Sequence, residues 1–122
     1  QPGLLSDGTI RFMSLITALL QPSPPSTLVI DEPELGLHPY AIRLLAAAVR
    51  VATQKTQVII ATQSPLLVDE FELNQIVVVE QSGGRTTLKR SEDTPETADW
   101  LRDFSLGELW QKNLLGGRPG GG

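Results

Sequence analysis

Residues 26–33, Ser-Thr-Leu-Val-Ile-Asp-Glu-Pro, form an apolar segment that ends in two adjacent carboxylates. The segment is apolar on both sides of an extended chain, which is typical of a strand inside a parallel sheet. Asp31 and Glu32 come last, and Pro33 then stops the run. Sheets of α/β proteins bind their ligands at the carboxyl ends of strands. This segment therefore predicts an α/β fold with a candidate site at Asp31 and Glu32.

The composition limits the class of protein. A chain of 122 residues forms one domain at most, and 40% hydrophobic residues suffice for a packed core. The net charge of −4 argues against a nucleic-acid module with a broad basic face. The chain has no cysteine and one histidine, which rules out disulfides, thiolate metal sites and multi-histidine metal sites. No apolar run reaches the roughly 18 residues of a membrane span. We expect a cytoplasmic protein that does not contact a membrane.

The first residue is Gln1 rather than methionine, so we expect the chain to be a piece of a longer protein. The body of the sequence alternates helical and extended patterns, which predicts parallel strands joined by helical crossovers. It ends in a hairpin signal and helices. The predicted elements are helices 9–20, 39–54 and 65–71, strands 27–31 and 57–62, a hairpin of strands 76–81 and 86–90, and a helical region 94–113 broken at 105–107.

Side-chain periodicity assigns an apolar face to each of the two long helices. In the helix 39–54 the inward positions are Ile42, Leu45, Val49 and Ala52. In the helix 9–20 the expected apolar face is Ile10, Met13, Ile16 and Leu20. Asp7 and Gly8 are expected at the N-cap of this first helix.

The two carboxylates suit nucleotide hydrolysis. Asp31, at the end of a buried strand, can hold Mg²⁺ directly or through water. Glu32 precedes a proline and is biased toward extended backbone, which suits a general base that polarises water for attack on a γ-phosphate. The alternative is that both are solvated loop acids.

Two further segments add polar groups. Ser6, Asp7 and Gly8 open a helix, whose free N–H groups and dipole can bind an anion, although an ordinary helix cap explains the same residues. Gln63 follows the strand after that of Asp31 and can contact a terminal phosphate in the same crevice, or it can simply be a turn residue. His38 precedes Pro39 in a turn.

A hydrolase triad is the least supported reading. Ser64, His38 and Asp69 have the residue types of such a triad. However, Ser64 precedes Pro65 in a helix-capping context rather than in a nucleophile elbow.

Three motifs occur in a characteristic order: LSDGT at residues 5–9, VIDEPELGLHP at 29–39 and ATQSP at 61–65. Together they resemble the C-terminal half of an ATP-binding-cassette (ABC) ATPase, which is a P-loop NTPase. The chain is most similar to the prokaryotic SMC/RecF-like ATPases related to the overcoming-lysogenisation-defect family. The resemblance covers residues 4–80.

The resemblance implies a role for each matching residue. Ser6 and Gly8 match the signature that contacts the γ-phosphate bound by the opposing subunit. Asp31 matches the Walker B aspartate, Glu32 the catalytic glutamate and Gln63 the switch position. Residues 35–38, with Gly36 and His38, match the D-loop that crosses the dimer interface. The implied cofactors are ATP and Mg²⁺, and the implied partner is a second copy in a head-to-tail homodimer.

The sequence departs from the family pattern at two places. Asp7 stands where transporter signatures have glycine, and we expect it to turn back and cap the helix. No Gly-x-x-x-x-Gly-Lys-Ser/Thr motif occurs, so the phosphate-binding Walker A half is missing. By the family pattern it lies upstream of residue 1. We therefore predict a partial ABC-type domain over 1–115, inactive alone, and a disordered glycine-rich tail over 116–122.

Three functions follow from these observations. The first is ATP hydrolysis by a dimeric ABC-type ATPase that acts on DNA or in a defence or repair complex. The second is a non-catalytic remnant or regulatory half-domain that docks on another ATPase. The third, a free-standing nucleic-acid-binding domain, is disfavoured by the negative charge.

Overall fold

The structure, a computed structural model, describes residues 7–91 and 94–115. The chain divides into two compact units, Gln1–Gln63 and Ser64–Gly122. The first unit contains α1 (Asp7–Leu19), β1 (Thr27–Asp31), α2 (Pro39–Ala52) and β2 (Gln57–Ala61). The second contains α3 (Pro65–Val68), a 3₁₀ turn (Leu73–Gln75), β3 (Val77–Ser82), β4 (Arg85–Arg90), α4 (Pro95–Asp103) and α5 (Leu106–Gln111). The predicted tail 116–122 lies outside the described residues.

The two strands of the first unit pair in parallel, as predicted, with α2 as the crossover between them. Their register sets Val29 opposite Ile59 and Asp31 opposite Ala61. Helix α2 buries the four predicted inward positions Ile42, Leu45, Val49 and Ala52. Val29 and Ile59 are 73% and 49% exposed, so one face of this strand pair is apolar and uncovered.

Helix α1 differs from its prediction in both its start and its buried face. It begins at Asp7, two residues early, so Asp7 lies in the first turn and the predicted N-cap at Asp7 and Gly8 is wrong. The predicted apolar face is not the buried one, because Ile10 and Met13 are 49% and 56% exposed. The buried residues are instead Gly8 and Leu19. Further apolar residues stand at positions 12, 15 and 19, so periodicity gives this helix no unique face.

The second unit contains the predicted hairpin and a small helical cluster. Strands β3 and β4 are antiparallel and join at Gly83 and Gly84, whose φ values are 56° and 78°. Leu67 of α3 and Leu109 of α5 are fully buried. The Gly107 N–H donates to Asp69 Oδ1 at 2.6 Å, which ties the start of α5 to the residue after α3.

The predicted break in the C-terminal helix is confirmed. Helix α4 ends at Asp103, and Ser105 is the N-cap of α5, with its hydroxyl accepting from the Glu108 N–H at 3.2 Å. In the part of the chain that the structure describes, no helix has the length and apolar character needed to cross a bilayer.

Candidate functional site

The predicted acids lie at the carboxyl end of the parallel strand pair. Asp31 is the last residue of β1 and is exposed. Glu32 is half-buried, and its N–H donates to Ala61 O at 2.7 Å, which extends the pairing of β1 with β2 by one bond. The two carboxylates therefore leave the sheet at the edge where α/β proteins bind ligands.

The backbone at Glu32 is in the left-handed region, with a φ of 46°. For a residue with a Cβ atom this conformation costs about 1–2 kcal/mol. The Leu35 N–H donates back to Glu32 O at 3.4 Å, and the Pro33 side chain within this turn is fully buried. The sequence prediction of extended backbone at Glu32 is therefore wrong, because the chain turns sharply immediately after β1.

Helix α1 contacts the backbone of this turn through Arg11. Its guanidinium donates to Glu32 O at 2.9 Å and to Leu35 O at 2.7 Å. Gly8, one turn earlier on α1, packs against Gly36, since a Cβ atom added to Gly8 would lie 2.5 Å from Gly36 O. Gly36 itself has a φ of 76°. The start of α1 and the loop after β1 are thus closely packed and joined by hydrogen bonds.

Gln63 reaches the same sheet edge from β2. It is exposed and lies two residues beyond Ala61, the register partner of Asp31. The structure therefore brings three predicted site residues, Asp31, Glu32 and Gln63, to one edge. It places Gly8 and Gly36 in contact beside them. Ser6 lies outside the described residues.

His38 has a local structural role. It is the N-cap of α2, and its Nδ1 accepts a hydrogen bond from the Tyr40 N–H at 3.2 Å. Ser64 likewise caps α3 through the Leu67 N–H at 3.3 Å, and Asp69 Oδ1 accepts from Gly107. The three residue types of a hydrolase triad are therefore explained by helix capping and local packing.

Two residues were missed by the sequence analysis. Arg11 is the only charged residue in α1 beyond its first turn, and this single cation was the signal that could have identified it. The other is Glu34, whose Oε1 is buried with no hydrogen-bond partner among the described residues. A buried acceptor without a partner costs about 1–3 kcal/mol of stability.

The donor set at the sheet edge fits a magnesium ion better than a transition metal. Asp31 offers exposed carboxylate oxygens. Within residues 7–91 and 94–115 there is no cluster of three or more His, Cys, Asp or Glu residues that could enclose a metal by itself. Magnesium in nucleotide enzymes uses one or two carboxylates and takes its other ligands from phosphates and water.

Comparison with known proteins gives a family and a fold. The sequence model of a family described as "AAA domain, putative AbiEii toxin, Type IV TA system" matches residues 1–69. No curated protein matches the chain. A solved structure described as "Structural biochemistry of ATP-driven dimerization and DNA stimulated activation of SMC ATPases" is similar, with a TM-score of 0.62 at 16% sequence identity.

The structural match covers 83% of this chain and 62% of the solved one, so the chain spans less than two thirds of that protein's length. At this identity the likeness shows a shared fold. It confirms the predicted α/β fold of a P-loop NTPase.

Proposed function

Because the chain belongs to the AAA-domain family whose model matches residues 1–69, we propose that it supplies the acidic half of an ATP-hydrolysing site. ATP and Mg²⁺ are the substrate and cofactor of this site. The chain forms the C-terminal part of an ABC-type domain over residues 1–115 and works with a second copy of itself.

The meeting of Asp31, Glu32 and Gln63 at one sheet edge carries this proposal. Asp31 ends β1, Glu32 donates its N–H to Ala61 O at 2.7 Å, and Gln63 follows β2 at the same edge. Hydrolysis of a γ-phosphate needs a carboxylate for the metal, a group that orients the attacking water and polar contacts to the terminal phosphate. These three residues offer one group for each task.

We assign the base to Glu32 and the metal ligand to Asp31. Glu32 is held through both backbone groups, its N–H by β2 and its C=O by α1, and this fixed backbone limits where its carboxylate can reach. A fixed carboxylate beside the attacking water accepts its proton as the water oxygen bonds to the γ-phosphorus and ADP leaves. When bound, Mg²⁺ neutralises the charge on the phosphate oxygens. Gln63 orients the terminal phosphate or the water.

We assign Ser6 and Gly8 to the nucleotide of the opposing subunit. Gly8 lies in the first turn of α1, where free backbone N–H groups and the helix dipole favour an anion. Gly36 and His38 lie on the loop that contacts Gly8, and we place them at the same interface. A head-to-tail homodimer is then the active form, in line with the dimerization named for the similar SMC ATPase structure.

The proposal also requires a phosphate-binding loop, a Walker A motif that the 122 residues do not contain. We assign that loop to a further N-terminal segment of the same domain. Residues 1–122 are expected to be inactive without it. The experiments below accordingly use the complete domain, meaning this chain together with the segment that supplies the loop.

The biological setting is proposed by analogy alone. The family description includes a toxin of a type IV TA system, and the similar SMC structure is described as having DNA-stimulated activation. We place this ATPase in the cytoplasm, in phage defence or DNA maintenance, with DNA as a further partner. Stimulation of ATP turnover by added DNA, lost at high salt, is the observation that would support DNA as the partner.

Replacement of Glu32 tests the central assignment. In the complete domain, Glu32→Gln should lower kcat by about 10²–10⁴-fold with ATP binding retained, because the amide keeps the shape of the carboxylate but accepts no proton. The matched control is Glu80→Gln, which changes an exposed acid on β3 and should leave turnover unchanged. Wild-type turnover in Glu32→Gln would refute the assignment.

A non-catalytic half-domain that docks on another ATPase is the second candidate. It is favoured by the missing loop motif and by the apolar sheet face at Val29 and Ile59, which are 73% and 49% exposed. Such a face favours a covering partner. If a partner ATPase bound this chain and kept its full activity when Glu32 was replaced by glutamine, this second function would be correct.

A further inference from the structure

Helix α1 and the loop after β1 are joined by an arginine that the catalytic assignment does not use. The Arg11 guanidinium donates one N–H to Glu32 O at 2.9 Å and another to Leu35 O at 2.7 Å. These contacts span 21 and 24 residues of sequence, so they are tertiary. A planar guanidinium that donates to two carbonyls at once fixes their relative position, which a single point charge does not.

The same face of α1 touches the loop at a second point. Gly8 precedes Arg11 by three residues and so lies on the same side of the helix. A Cβ atom on Gly8 would lie 2.5 Å from Gly36 O, so the two backbones are already in close contact. Arg11 donates hydrogen bonds to the carbonyl oxygens of residues 32 and 35, while Gly8 packs against residue 36. A displacement of α1 therefore moves the loop with it.

This attachment acts on the backbone of Glu32 itself. Its N–H is bonded to Ala61 O of β2 at 2.7 Å, and its C=O is bonded to Arg11 of α1. Among the residues that the structure describes, this C=O accepts one further hydrogen bond, from the Leu35 N–H, and that bond is longer, at 3.4 Å. With a φ of 46°, Glu32 needs such external contacts to stay in the left-handed region.

We propose that Arg11 is a positioning residue that couples the two nucleotide sites of the dimer by linking α1 to the backbone of Glu32. This inference rests on the proposed function. There, Gly8 of α1 contacts the nucleotide held by the partner subunit, while Glu32 serves the nucleotide of its own subunit. Binding of ATP at the partner's site therefore fixes the position of α1. Through its hydrogen bond to Glu32 O, Arg11 then fixes the position of the Glu32 backbone. Linkage makes the coupling reciprocal for binding, so the two sites bind ATP cooperatively.

Two variants and one control test this coupling in the complete domain. Arg11→Ala removes both hydrogen bonds, and Arg11→Lys keeps the charge but loses the forked geometry. The control is Arg43→Ala, which removes an exposed arginine from α2. Hydrogen exchange at the Leu35 and Leu37 amides reads the loop directly, and exchange at the Leu45 and Val49 amides of α2 checks that the unit stays folded.

The expected result combines a structural and a kinetic change. In Arg11→Ala the Leu35 and Leu37 amides exchange on the order of 10-fold faster, while the α2 amides are unchanged. The Hill coefficient for ATP falls to about 1, and kcat falls on the order of 10-fold with little change in ATP affinity. Arg11→Lys shows smaller changes of the same sign, and Arg43→Ala matches the wild-type domain.

The outcomes separate this inference from the proposed function. Unchanged loop exchange in both Arg11 variants would overturn the positioning role, even in an active ATPase. Faster loop exchange with wild-type kcat and Hill coefficient would overturn the coupling. A wild-type domain that does not hydrolyse ATP would refute the proposed function and the coupling together, whereas faster exchange would still establish the attachment of the loop to α1.

Discussion

Left-handed backbone occurs at three places in the described residues: at Asn113 after α5, in the turn between β3 and β4, and in the loop after β1. The last two are built differently. The turn between β3 and β4 uses Gly83 and Gly84, with φ values of 56° and 78°, and a Cβ atom on either would meet nothing within 4 Å. The loop after β1 uses Glu32, with a φ of 46°, and Gly36, with a φ of 76°. Here a side chain is present where glycine would be unstrained, and the neighbouring backbone of Gly8 is in close contact.

The difference shows where the protein tolerates strain. The hairpin turn needs only local residues, because two glycines adopt left-handed backbone without strain and without contacts from distant parts of the sequence. The loop after β1 is held by partners that are remote in sequence, Arg11 and Ala61. Strained residues persist where surrounding contacts over-determine them, and such residues concentrate at functional sites. Glu32 is the strained residue of this loop, and it is the proposed base.

The largest expected difference between the two turns is in the effect of a methyl group. Gly8→Ala drives a Cβ atom to 2.5 Å from the backbone of Gly36, and we expect it to lower the stability of the first unit by about 3 kcal/mol. Gly83→Ala meets open space and bears only the left-handed penalty of about 1 kcal/mol. Hydrogen exchange at amides of α2 and of the hairpin measures each effect within its own unit.

Equal losses of stability in the two variants would contradict the proposed difference between the two turns. They would mean that α1 and the loop separate easily enough to accept a methyl group between them. A loss about three times larger in Gly8→Ala than in Gly83→Ala would support it, because the contact with Gly36 would then add to the ordinary cost of a side chain in tight backbone.

A smaller effect of opposite sign is expected at Glu32. Glu32→Gly relieves about 1–2 kcal/mol of left-handed strain but adds a chain-entropy cost of about 0.5–1 kcal/mol, so the stability of the first unit should rise by roughly 0.5 kcal/mol while ATP hydrolysis is lost. The control is Gln63→Gly at an ordinary backbone position, which should lower stability by about 0.5–1 kcal/mol through chain entropy. Urea denaturation measures both. If Glu32→Gly were destabilised as much as the control, the loop would carry no strain.

The hairpin and the strands were predictable because their signals are local. Strand β1 has its predicted bounds of 27–31, and β2 ends one residue before its prediction. Ser64 and Ser105 cap helices where a capping residue precedes an apolar run. The inward face of α2 was also predicted, because its opposite face carries Arg43 and Arg50 and so makes the periodicity unambiguous.

The loop after β1 was predictable in its residues but not in its geometry. Asp31, Glu32 and Gln63 are predictable because each ends or follows an apolar strand, and parallel pairing brings such positions to one edge. The left-handed turn at Glu32 depends on Arg11, 21 residues away, which no local pattern encodes. The packed side of α1 was also not predictable from local sequence. It includes the contact between Gly8 and Gly36, which are 28 residues apart.

The central claim is that Glu32 of one subunit and Ser6 of the other complete the same nucleotide site. The most direct test mixes two inactive variants of the complete domain, Glu32→Gln and Ser6→Arg. A mixed dimer then contains one site with an intact Glu32 and an intact Ser6, so random pairing should restore roughly a quarter of wild-type ATP turnover. If the mixture stayed as inactive as its two components while still dimerising, the composite site would be contradicted.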